Sequence, residues 1–362
     1  MKARIVIGAN YGDEGKGTVV AHYTKNAEGN VLNILTNGGA QRGHSILTEQ
    51  GSMTFQHFGS GTYHGADSYY SRYFILNPMQ FVKEYEGLIV KPQKIWRDKF
   101  CRWTTPYDSM ANLISESIQG RHASCCMGIW NTIRRYNTVG NELTFDDFVL
   151  STLEEKYTYL DKVKAFYEKE MTIPSEFKDI WNSVGLKNHF IQDCEFMKKM
   201  TIPVYFSKCV CGLYDNLIFE NGQGLMLCDT GKDTYDTTPS NTGIEYAMKI
   251  LKESGYKNDL TAHYVTRPYL TRHGDGGMEK ENVRSFISDG VNEDRTNHFN
   301  DFQGEFRYGL LDIDSLKKRI NEDNKENVKV ELEVTHCDEM DRVNEFKKLF
   351  GTVNTYDSAL IK

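Results

Sequence analysis

The sequence has no long hydrophobic run, few prolines and no excess of positive charge, and each shortage excludes a class of protein. No stretch of about 18 consecutive apolar residues occurs, so no transmembrane helix is predicted. The first residues lack a charged segment followed by an apolar one, so no signal peptide is expected. The formal net charge is −7 and no long basic run appears, so no nucleic-acid-binding surface is expected.

The chain also lacks the cysteine spacing of a zinc or redox site. None of its eight cysteines forms a C-x-x-C pair, and Cys209-x-Cys211 is too isolated to count as a metal site. In a large chain without a secretion signal, this predicts reduced thiols and a cytoplasmic location. Only seven prolines occur among 362 residues, with no internal repeat and no low-complexity tract. No linker is evident, so a single domain over residues 1–362 is expected.

Strand-like and helix-like segments alternate along the chain. Strands are predicted at Arg4–Ile7, Val31–Leu35, Tyr73–Leu76, Ile202–Phe206, Asn216–Phe219, Leu225–Cys228, Thr261–Val265 and Val328–Val334. Helices are predicted at Gly15–Lys25, Pro78–Tyr85, Tyr107–Ser117, Thr152–Met171, Thr242–Glu253, Asp312–Asn321 and Met340–Leu349. The alternation predicts an α/β fold with a large, mainly parallel central sheet flanked by helices. Ligands of such sheets bind beyond the carboxyl ends of the strands.

The middle of the chain, about residues 140–200, is helix-rich and charged, and we interpret it as a helical insertion. In Thr152–Met171 apolar residues recur near helical spacing. That pattern is typical of a helix that packs on the core. It is equally compatible with a lid or with a dimer face.

The most informative segment is the glycine-rich loop Gly12–Thr18, which follows the apolar run Ile5–Ile7. Its glycines allow backbone N–H groups to close on phosphate oxygens, and the following helix adds its positive end. Two carboxylates stand beside the lysine, where they repel phosphate, so one of them suits a metal ligand or a proton acceptor. A plain turn is the competing interpretation, because Gly17 follows Lys16 and the Walker A spacing is not met.

Further polar loops follow other strands or precede helices. Asn37–Ser45 contains His44, which could act as an acid or as a donor to phosphate. Phe219–Gly224 contains Gln223, whose amide could stabilise an oxyanion. Thr237–Gly243 could cap a helix or bind a second phosphate. Thr271–Gly277, a glycine-rich turn with Arg272, and Gly304–Gly309, with Arg307, each offer an arginine that could bind a carboxylate or phosphate. Taken singly, a surface histidine, a bulge, a cap or a solvated arginine is the usual alternative.

Together these motifs resemble the adenylosuccinate synthetase family. Gly12–Gly17 reads Gly-Asp-Glu-Gly-Lys-Gly, as in the family's first loop. The further matches, in order along the chain, are Gly38-Gly39, Gly43-His44-Ser45, His57–Gly61, Leu76-Asn77-Pro78, Glu220–Gly224, Thr238 and Ser240-Asn241-Thr242. Weaker matches lie at Thr271-Arg272 and Gly309–Asp312. The resemblance implies a fold like that of P-loop NTPases and a ligase that joins L-aspartate to C6 of a purine nucleoside monophosphate. The 6-oxygen is first phosphorylated by a nucleoside triphosphate.

The resemblance also implies roles for individual residues. Asp13 would take the N1 proton and bind Mg²⁺, and the Gly43 carbonyl would join the metal shell. His44 would donate to the γ-phosphate or the leaving oxygen, and Gln223 would steady the 6-oxyanion. The remaining expected contacts to phosphates and nucleotides come from Gly12, Gly15, Lys16, Gly17, Thr18, Asn37, Gln41, Thr238, Asn241 and Asp338. Arg307 and Arg272 would bind L-aspartate.

This chain departs from the family's pattern in four places. The arginine-rich loop that binds aspartate is reduced to Gly304-Glu305-Phe306-Arg307. The Lys-x-Asp that reads guanine is replaced by His336-Cys337-Asp338, and the final Thr-Gly-Pro-Asp-Arg has no counterpart near residues 354–362. Ser124–Gly128 replaces a Thr-Thr-Gly-Arg-Gly segment. These departures resemble the viral branch that makes 2-aminoadenylosuccinate from dGMP, with ATP or dATP as donor, which would act in the host cytoplasm. An ordinary enzyme that uses IMP and GTP, and a catalytically silent nucleotide-binding protein, remain alternatives. A homodimer is implied, with Arg134 or Arg135 as candidates to reach the partner's site.

Overall fold

A computed structural model describes most of the chain. The residues it describes are 1–48, 51–119, 124–140, 142–205, 207–228, 237–274, 276–281 and 306–357. Their strands are β1 Lys2–Gly8, β2 Val31–Leu35, β3 Gly38–Gly39, β4 His44–Thr48, β5 Gly51–Phe55, β6 Asp67–Tyr70, β7 Phe74–Ile75, β8 Ile95–Asp98, β9 Ile202–Val204, β10 Asn216–Glu220, β11 Leu260–Thr266, β12 Leu270–His273, β13 Phe306–Gly309, β14 Lys329–Val334 and β15 Val353–Thr355.

Helices connect most of these strands. They are α1 Lys16–Lys25, α2 Pro78–Gly87, α3 Pro106–Gln119, α4 Ile129–Val139, α5 Phe145–Leu150, α6 Leu153–Glu170, α7 Ser175–Trp181, α8 Val184–Met200, α9 Lys208–Cys211, α10 Glu245–Ser254, α11 Ile313–Asp323 and α12 Val343–Phe350. Short 3₁₀ turns occur at Ser60–His64 and Leu225–Leu227. None of the helices in these ranges is long and apolar enough to span a membrane.

The central sheet has nine strands in the order β15-β14-β11-β1-β10-β2-β6-β8-β9. All neighbouring strands run parallel. The predicted α/β fold with a mainly parallel sheet is therefore confirmed. β1 lies beside β10, the middle strand, and its residues Ile5, Val6 and Ile7 are fully buried, as a strand covered on both faces requires. Its neighbours β10 and β11 come from distant parts of the chain, so loops far apart in sequence meet at one edge.

The helix-rich region, α3 to α8, packs on a core that it shares with β2, β6 and β8 of the sheet and that includes Trp103, Tyr107 and Trp181. α6 begins with a capping box between Thr152 and Glu155. Its buried face, which includes Leu160, Val163 and Tyr167, belongs to this core. The structure thus supports the core-packing interpretation of this helix.

Several predicted elements were wrong. Leu225–Cys228 is not a strand but a 3₁₀ turn at Leu225–Leu227, held by backbone bonds such as Leu227 N to Gly224 O. Tyr73–Leu76 contributes only the two residues of β7. Thr271, placed in a turn, lies within β12, which pairs antiparallel with β13. Phe206, Asp275 and residues 304–305 of the predicted segments lie outside the described residues.

Candidate active site

The first loop is held closed by Glu14, the acid to which no role was assigned. Its Oε1 accepts hydrogen bonds from the N–H groups of Asn10 and Gly12, both at 2.9 Å. Its Oε2 pairs with Lys16 Nζ at 2.8 Å. Both side chains are buried. Glu14 therefore shapes the loop and fixes the amino group of Lys16 at the first turn of α1.

Asp13, in contrast, points out of this network. Its backbone is in the left-handed region at φ 58°. Arg267 Nε holds the Asp13 carbonyl oxygen at 2.7 Å, while no described residue donates a hydrogen bond to the carboxylate. Removal from water raises the pKa of this carboxyl, and electrostatic interactions with the neighbouring His273, Lys16 and Arg267 side chains partly oppose the rise. A carboxylate with a raised pKa and no hydrogen-bond donor among the described residues suits a proton acceptor.

The second loop closes over the first at Gly17. A Cβ there would lie only 2.7 Å from the carbonyl oxygen of Ser45, so glycine is needed where β4 passes α1. This contact brings His44 to the carboxyl edge of the sheet.

His44 is oriented by Glu220, the last residue of β10. Its Nδ1 lies 2.5 Å from Glu220 Oε1, which also accepts from Ser60 Oγ at 2.7 Å and lies 3.3 Å from Arg42 Nη2. Burial, then the Arg42 charge, lowers the pKa of His44 to about 4. Arg42 and His44 outweigh burial and lower the pKa of Glu220 to about 2. Near neutral pH the imidazole is thus neutral, Nδ1–H donates to a carboxylate, and the buried Nε2 has no partner.

Gln223 lies between the first two loops. Its backbone is left-handed at φ 55°, and its buried side-chain oxygen has no hydrogen-bond partner in the described parts of the chain. A Cβ at Gly38 would lie 3.1 Å from that oxygen. A side chain at residue 38 would crowd the amide and strain the backbone, which is left-handed there at φ 74°. The amide thus lies close to the loop that carries His44.

Four of the predicted phosphate contacts have hydrogen-bond partners within the protein: Asn37, Gln41, Thr238 and Asn241. Gln41 Nε2 donates to Thr238 Oγ1 at 2.8 Å, so these two meet as the resemblance implies. Asn37 is buried and bonded to Gly222 N at 2.8 Å and Ser240 Oγ at 3.1 Å, which ties three loops together. Asn241 caps the approach to α10 through Gly243 N and Glu245.

The segment 124–128 forms a wall beside this group. Cys125 Sγ approaches the Gln41 carbonyl oxygen at 3.8 Å, and Trp130 Nε1 donates to the Thr237 carbonyl at 3.2 Å. Gly128, at φ 74°, ends the segment before α4. The segment that departs from the family's pattern therefore borders the Gln41–Thr238 contact.

The β12–β13 hairpin brings both predicted aspartate-binding arginines together. Arg272 and Arg307 are direct cross-strand partners. Arg272 Nη1 donates to Gly277 O at 2.6 Å, and Arg307 Nη2 to Gly276 O at 2.8 Å. Two like charges directly opposite one another destabilise a hairpin unless they are compensated, and Arg307 Nη1 pairs with Glu281 Oε2 at 2.9 Å.

The remaining predicted residues lie around this edge. Thr335, at the end of β14, donates to the Glu14 carbonyl at 2.5 Å, and Asp338 is exposed three residues later. Thr18 lies in the first turn of α1 and Gly43 lies directly before β4.

The proposed dimer contact of Arg135 is wrong, because its guanidinium is buried within its own subunit against Asp108 and Glu142. Arg134 is half-exposed and pairs with Glu170 at 2.7 Å.

The sequence did not reveal the residues that orient the predicted site residues. Glu14, Glu220, Arg267 and His273 were given no role. A usable signal existed for Glu220, since a carboxylate that ends an apolar strand before a glycine-rich loop is costly to bury without a partner. No local pattern pointed to His273.

Comparisons with known proteins identify the family of this chain. The family model described as adenylosuccinate synthetase matches residues 5–350. The adenylosuccinate synthetase of Buchnera aphidicola is 25% identical over 292 residues, 76% of this chain and 65% of that protein. The same enzyme of Borrelia recurrentis is 24% identical over 331 residues, 87% of this chain and 73% of that protein. The aligned region thus spans 65% of the length of the first relative and 73% of the second.

Two solved structures share the fold. Fully ligated adenylosuccinate synthetase from Plasmodium falciparum has a TM-score of 0.68 at 18% identity, covering 93% of this chain and 77% of that chain. Succinoaminodeoxyadenylate synthetase of cyanophage S-2L, bound to dGMP and to dATP as an energy donor, has a TM-score of 0.64 at 11% identity, covering 98% and 91%. Since the family model spans nearly the whole chain, this protein belongs to the adenylosuccinate synthetase family.

Proposed function

We propose that this protein is a ligase that joins L-aspartate to C6 of a purine nucleoside monophosphate, with dGMP as substrate and ATP or dATP as donor. The observation that carries the proposal is the convergence of Asp13, His44 and Gln223 at one edge of the sheet. Each presents a polar group that the described protein leaves without a hydrogen-bond partner. Buried polar groups are otherwise paired, so the buried atoms of His44 and Gln223 are placed for a ligand. The Asp13 carboxylate, 24% exposed, is accessible to the same ligand.

The chemistry needs a base and an oxyanion donor together. The 6-oxygen of a 6-oxopurine is amide-like, so it is a poor nucleophile until N1 loses its proton. Asp13 accepts that proton, and its raised pKa favours the transfer. The amide of Gln223, rotated to present its NH₂ group, stabilises the negative charge on the 6-oxygen.

His44 acts on the triphosphate, at the γ-phosphate or the leaving oxygen. In the free protein its Nε2 carries a lone pair, so it must gain a proton before it can donate to a phosphate oxygen. The negative charge of a bound triphosphate favours that protonation, and Glu220 stabilises the resulting imidazolium from the Nδ1 side. Lys16 and the N–H groups at the start of α1 hold the transferred phosphate.

The donor set fits Mg²⁺, which prefers carboxylate and carbonyl oxygens. The Asp13 carboxylate is 24% exposed, and the Gly43 carbonyl lies on the neighbouring loop. Bound Mg²⁺ would supply charge neutralisation for the phosphates.

The 5′-phosphate of the monophosphate and the carboxylates of L-aspartate each face their own protein side chains in this proposal. Thr238, held by Gln41, suits the 5′-phosphate of the monophosphate. The Arg272–Arg307 pair suits the two carboxylates of L-aspartate, because paired guanidinium groups match paired carboxylates.

The choice of dGMP and an adenine donor rests on the departures from the family's pattern. His336-Cys337-Asp338 lacks the lysine of the guanine-reading motif, and the altered segment 124–128 borders the Gln41–Thr238 contact. The cyanophage enzyme with the same fold is described with dGMP and dATP. IMP with GTP is the second candidate, since the curated relatives are adenylosuccinate synthetases.

Release of phosphate tests the proposal. We expect release that requires L-aspartate and a purine monophosphate together, and that is fastest with dGMP and ATP or dATP. Turnover confined to IMP with GTP would reject the dGMP assignment and retain the ligase. Nucleotide binding without turnover in every combination would instead favour a catalytically silent binding protein.

A homodimer is also proposed, with Arg134 reaching the partner's site. Its half-exposed guanidinium, 48% accessible, is free to change partners from Glu170 when a second copy docks. Sedimentation of the intact protein, with and without dGMP, measures the state directly.

A further inference from the structure

We propose that His273 recognises the exocyclic 2-amino group of the substrate purine, so that this residue selects a 2-aminopurine over hypoxanthine. The proposal rests on the proposed function, because it takes the purine to face Asp13 through N1. It adds a residue and a reason for the choice between dGMP and IMP.

His273 ends β12 and faces the proposed base. Its Nε2 lies 4.0 Å from Asp13 Oδ2, and its side chain is 12% exposed. Across the hairpin the ring contacts Phe306, with centroids 4.6 Å apart. The imidazole is therefore held between a phenyl ring and the carboxylate of Asp13.

The second ring nitrogen has nothing to bind within the described protein. Nδ1 of His273 is buried and has no hydrogen-bond partner. In a neutral imidazole one nitrogen carries the hydrogen and the other accepts, and a carboxylate favours the hydrogen on the side it faces. Asp13 thus favours Nε2–H, which leaves Nδ1 as a buried acceptor that needs an N–H donor.

A guanine base supplies that donor at the right place. N1 of a purine is bonded to C6 and to C2. Since the proposed function places Gln223 at the 6-oxygen, the other side of N1, which carries the group on C2, is left to His273. Guanine carries an amino group there, with two N–H donors. Hypoxanthine carries only a C–H, which would leave Nδ1 buried without a partner.

Sites built to pair an N–H discriminate strongly against analogues that lack it, because the site's own polar group is then stranded. For one acceptor of this kind we expect a preference on the order of 10- to 100-fold. The preference is for the base and does not depend on the sugar.

The experiment compares kcat/KM for dGMP and dIMP in the full-length protein, with L-aspartate, Mg²⁺ and a saturating donor. The variants are His273→Leu, which fills the space without an acceptor, and His273→Asn, whose Oδ1 takes the place of Nδ1. The ratio of the two substrates is the readout, because a loss of folded or active protein cancels in it. Equilibrium binding of dGMP and dIMP to the same three proteins is measured alongside.

We expect the wild type to favour dGMP at least about tenfold, His273→Leu to lose most of that ratio, and His273→Asn to keep most of it. Either of two results overturns the inference and leaves the ligase proposal standing: an unchanged ratio in His273→Leu, or a wild type that prefers dIMP. If no purine is turned over, the proposed function fails, and the binding ratio still decides on His273. Equal binding of both nucleotides would then overturn the inference as well.

Discussion

Two buried charge networks in this protein differ in whether their polar atoms are all paired. In the helix-rich region, Arg135 donates to both oxygens of Asp108, to the Tyr159 hydroxyl and to the Trp103 carbonyl, and pairs with Glu142 at 2.9 Å. Each nitrogen of its guanidinium therefore has a protein partner, and the network is closed.

The network at the carboxyl edge of the sheet is open. His44 is bound through Nδ1 but not through Nε2, and Gln223 and His273 each keep one buried atom without a partner among the described residues. A closed network contributes to stability and specificity of folding, whereas an open one pays a desolvation penalty that only a ligand removes. The contrast predicts which substitutions alter catalysis and which alter stability.

The largest effect is expected for Asp13→Ala. The carboxylate receives no hydrogen bond from the described protein, so its loss should change the melting temperature little. Turnover should fall by about 10³-fold or more, because no other acid takes the N1 proton, while purine monophosphate binding stays measurable. Single-turnover phosphate release measures the rate, and an unchanged rate would refute the assignment of the base.

Arg135→Met should produce the opposite pattern. It strands the buried carboxylates of Asp108 and Glu142, so the free energy of unfolding should fall by about 3–5 kcal/mol, while activity per folded molecule is retained. Denaturant unfolding measures the change. The matched control is Arg134→Met, which breaks a half-exposed pair and should cost less than about 1 kcal/mol. Equal losses in the two variants would contradict the comparison.

Glu220→Gln tests the orientation of His44. The amide can still accept from His44 Nδ1 and Ser60, but it no longer stabilises an imidazolium. We expect kcat to fall by roughly 10- to 100-fold with little change in KM for the monophosphate. A variant in which KM rises and kcat is kept would show that Glu220 serves substrate binding instead.

The smallest effect concerns the pH dependence of stability. Glu84 also has its partners within the protein, because its carboxylate accepts hydrogen bonds from the N–H groups of Gln56, His57 and Phe58. Burial raises the pKa of Glu84 to about 7, so stability falls as pH rises from 4.5 to 7. Burial lowers the pKa of His57 to about 3, so stability rises with pH between 3 and 6.5.

The two groups oppose one another where their windows overlap. In Glu84→Gln the unfolding free energy should therefore climb more steeply with pH between 4.5 and 6.5, by up to about 1.4 kcal/mol per unit. Chemical unfolding at several pH values measures the slope, and an identical slope in both proteins would contradict the assignment.

The strands that build the site were predictable from the sequence, because they are continuous apolar runs buried on both faces. β2 was predicted at its observed bounds, and β1, β10 and β11 to within two residues. β6 and β8 were missed. β8 carries Arg97 and Asp98, which are buried only because Asp146 and Arg72 pair with them. Such partners are distant in sequence and leave no local pattern.

The candidate site was predictable to the level of its loops but not of its contacts. Glycine-rich loops after strands identified Asp13, His44 and Gln223. The order of the sheet, which inserts β10 between β1 and β2, joins Glu220 to His44. That order arises from long-range packing, and so does the hairpin that sets His273 beside Asp13.

The central claim is that this open edge activates the 6-oxygen of a purine monophosphate by phosphorylation. The most direct test uses dGMP labelled with ¹⁸O at the 6-position, together with L-aspartate and ATP, and mass analysis of the released phosphate. We expect one ¹⁸O atom in each phosphate formed. Unlabelled phosphate released alongside the aspartate adduct would contradict it.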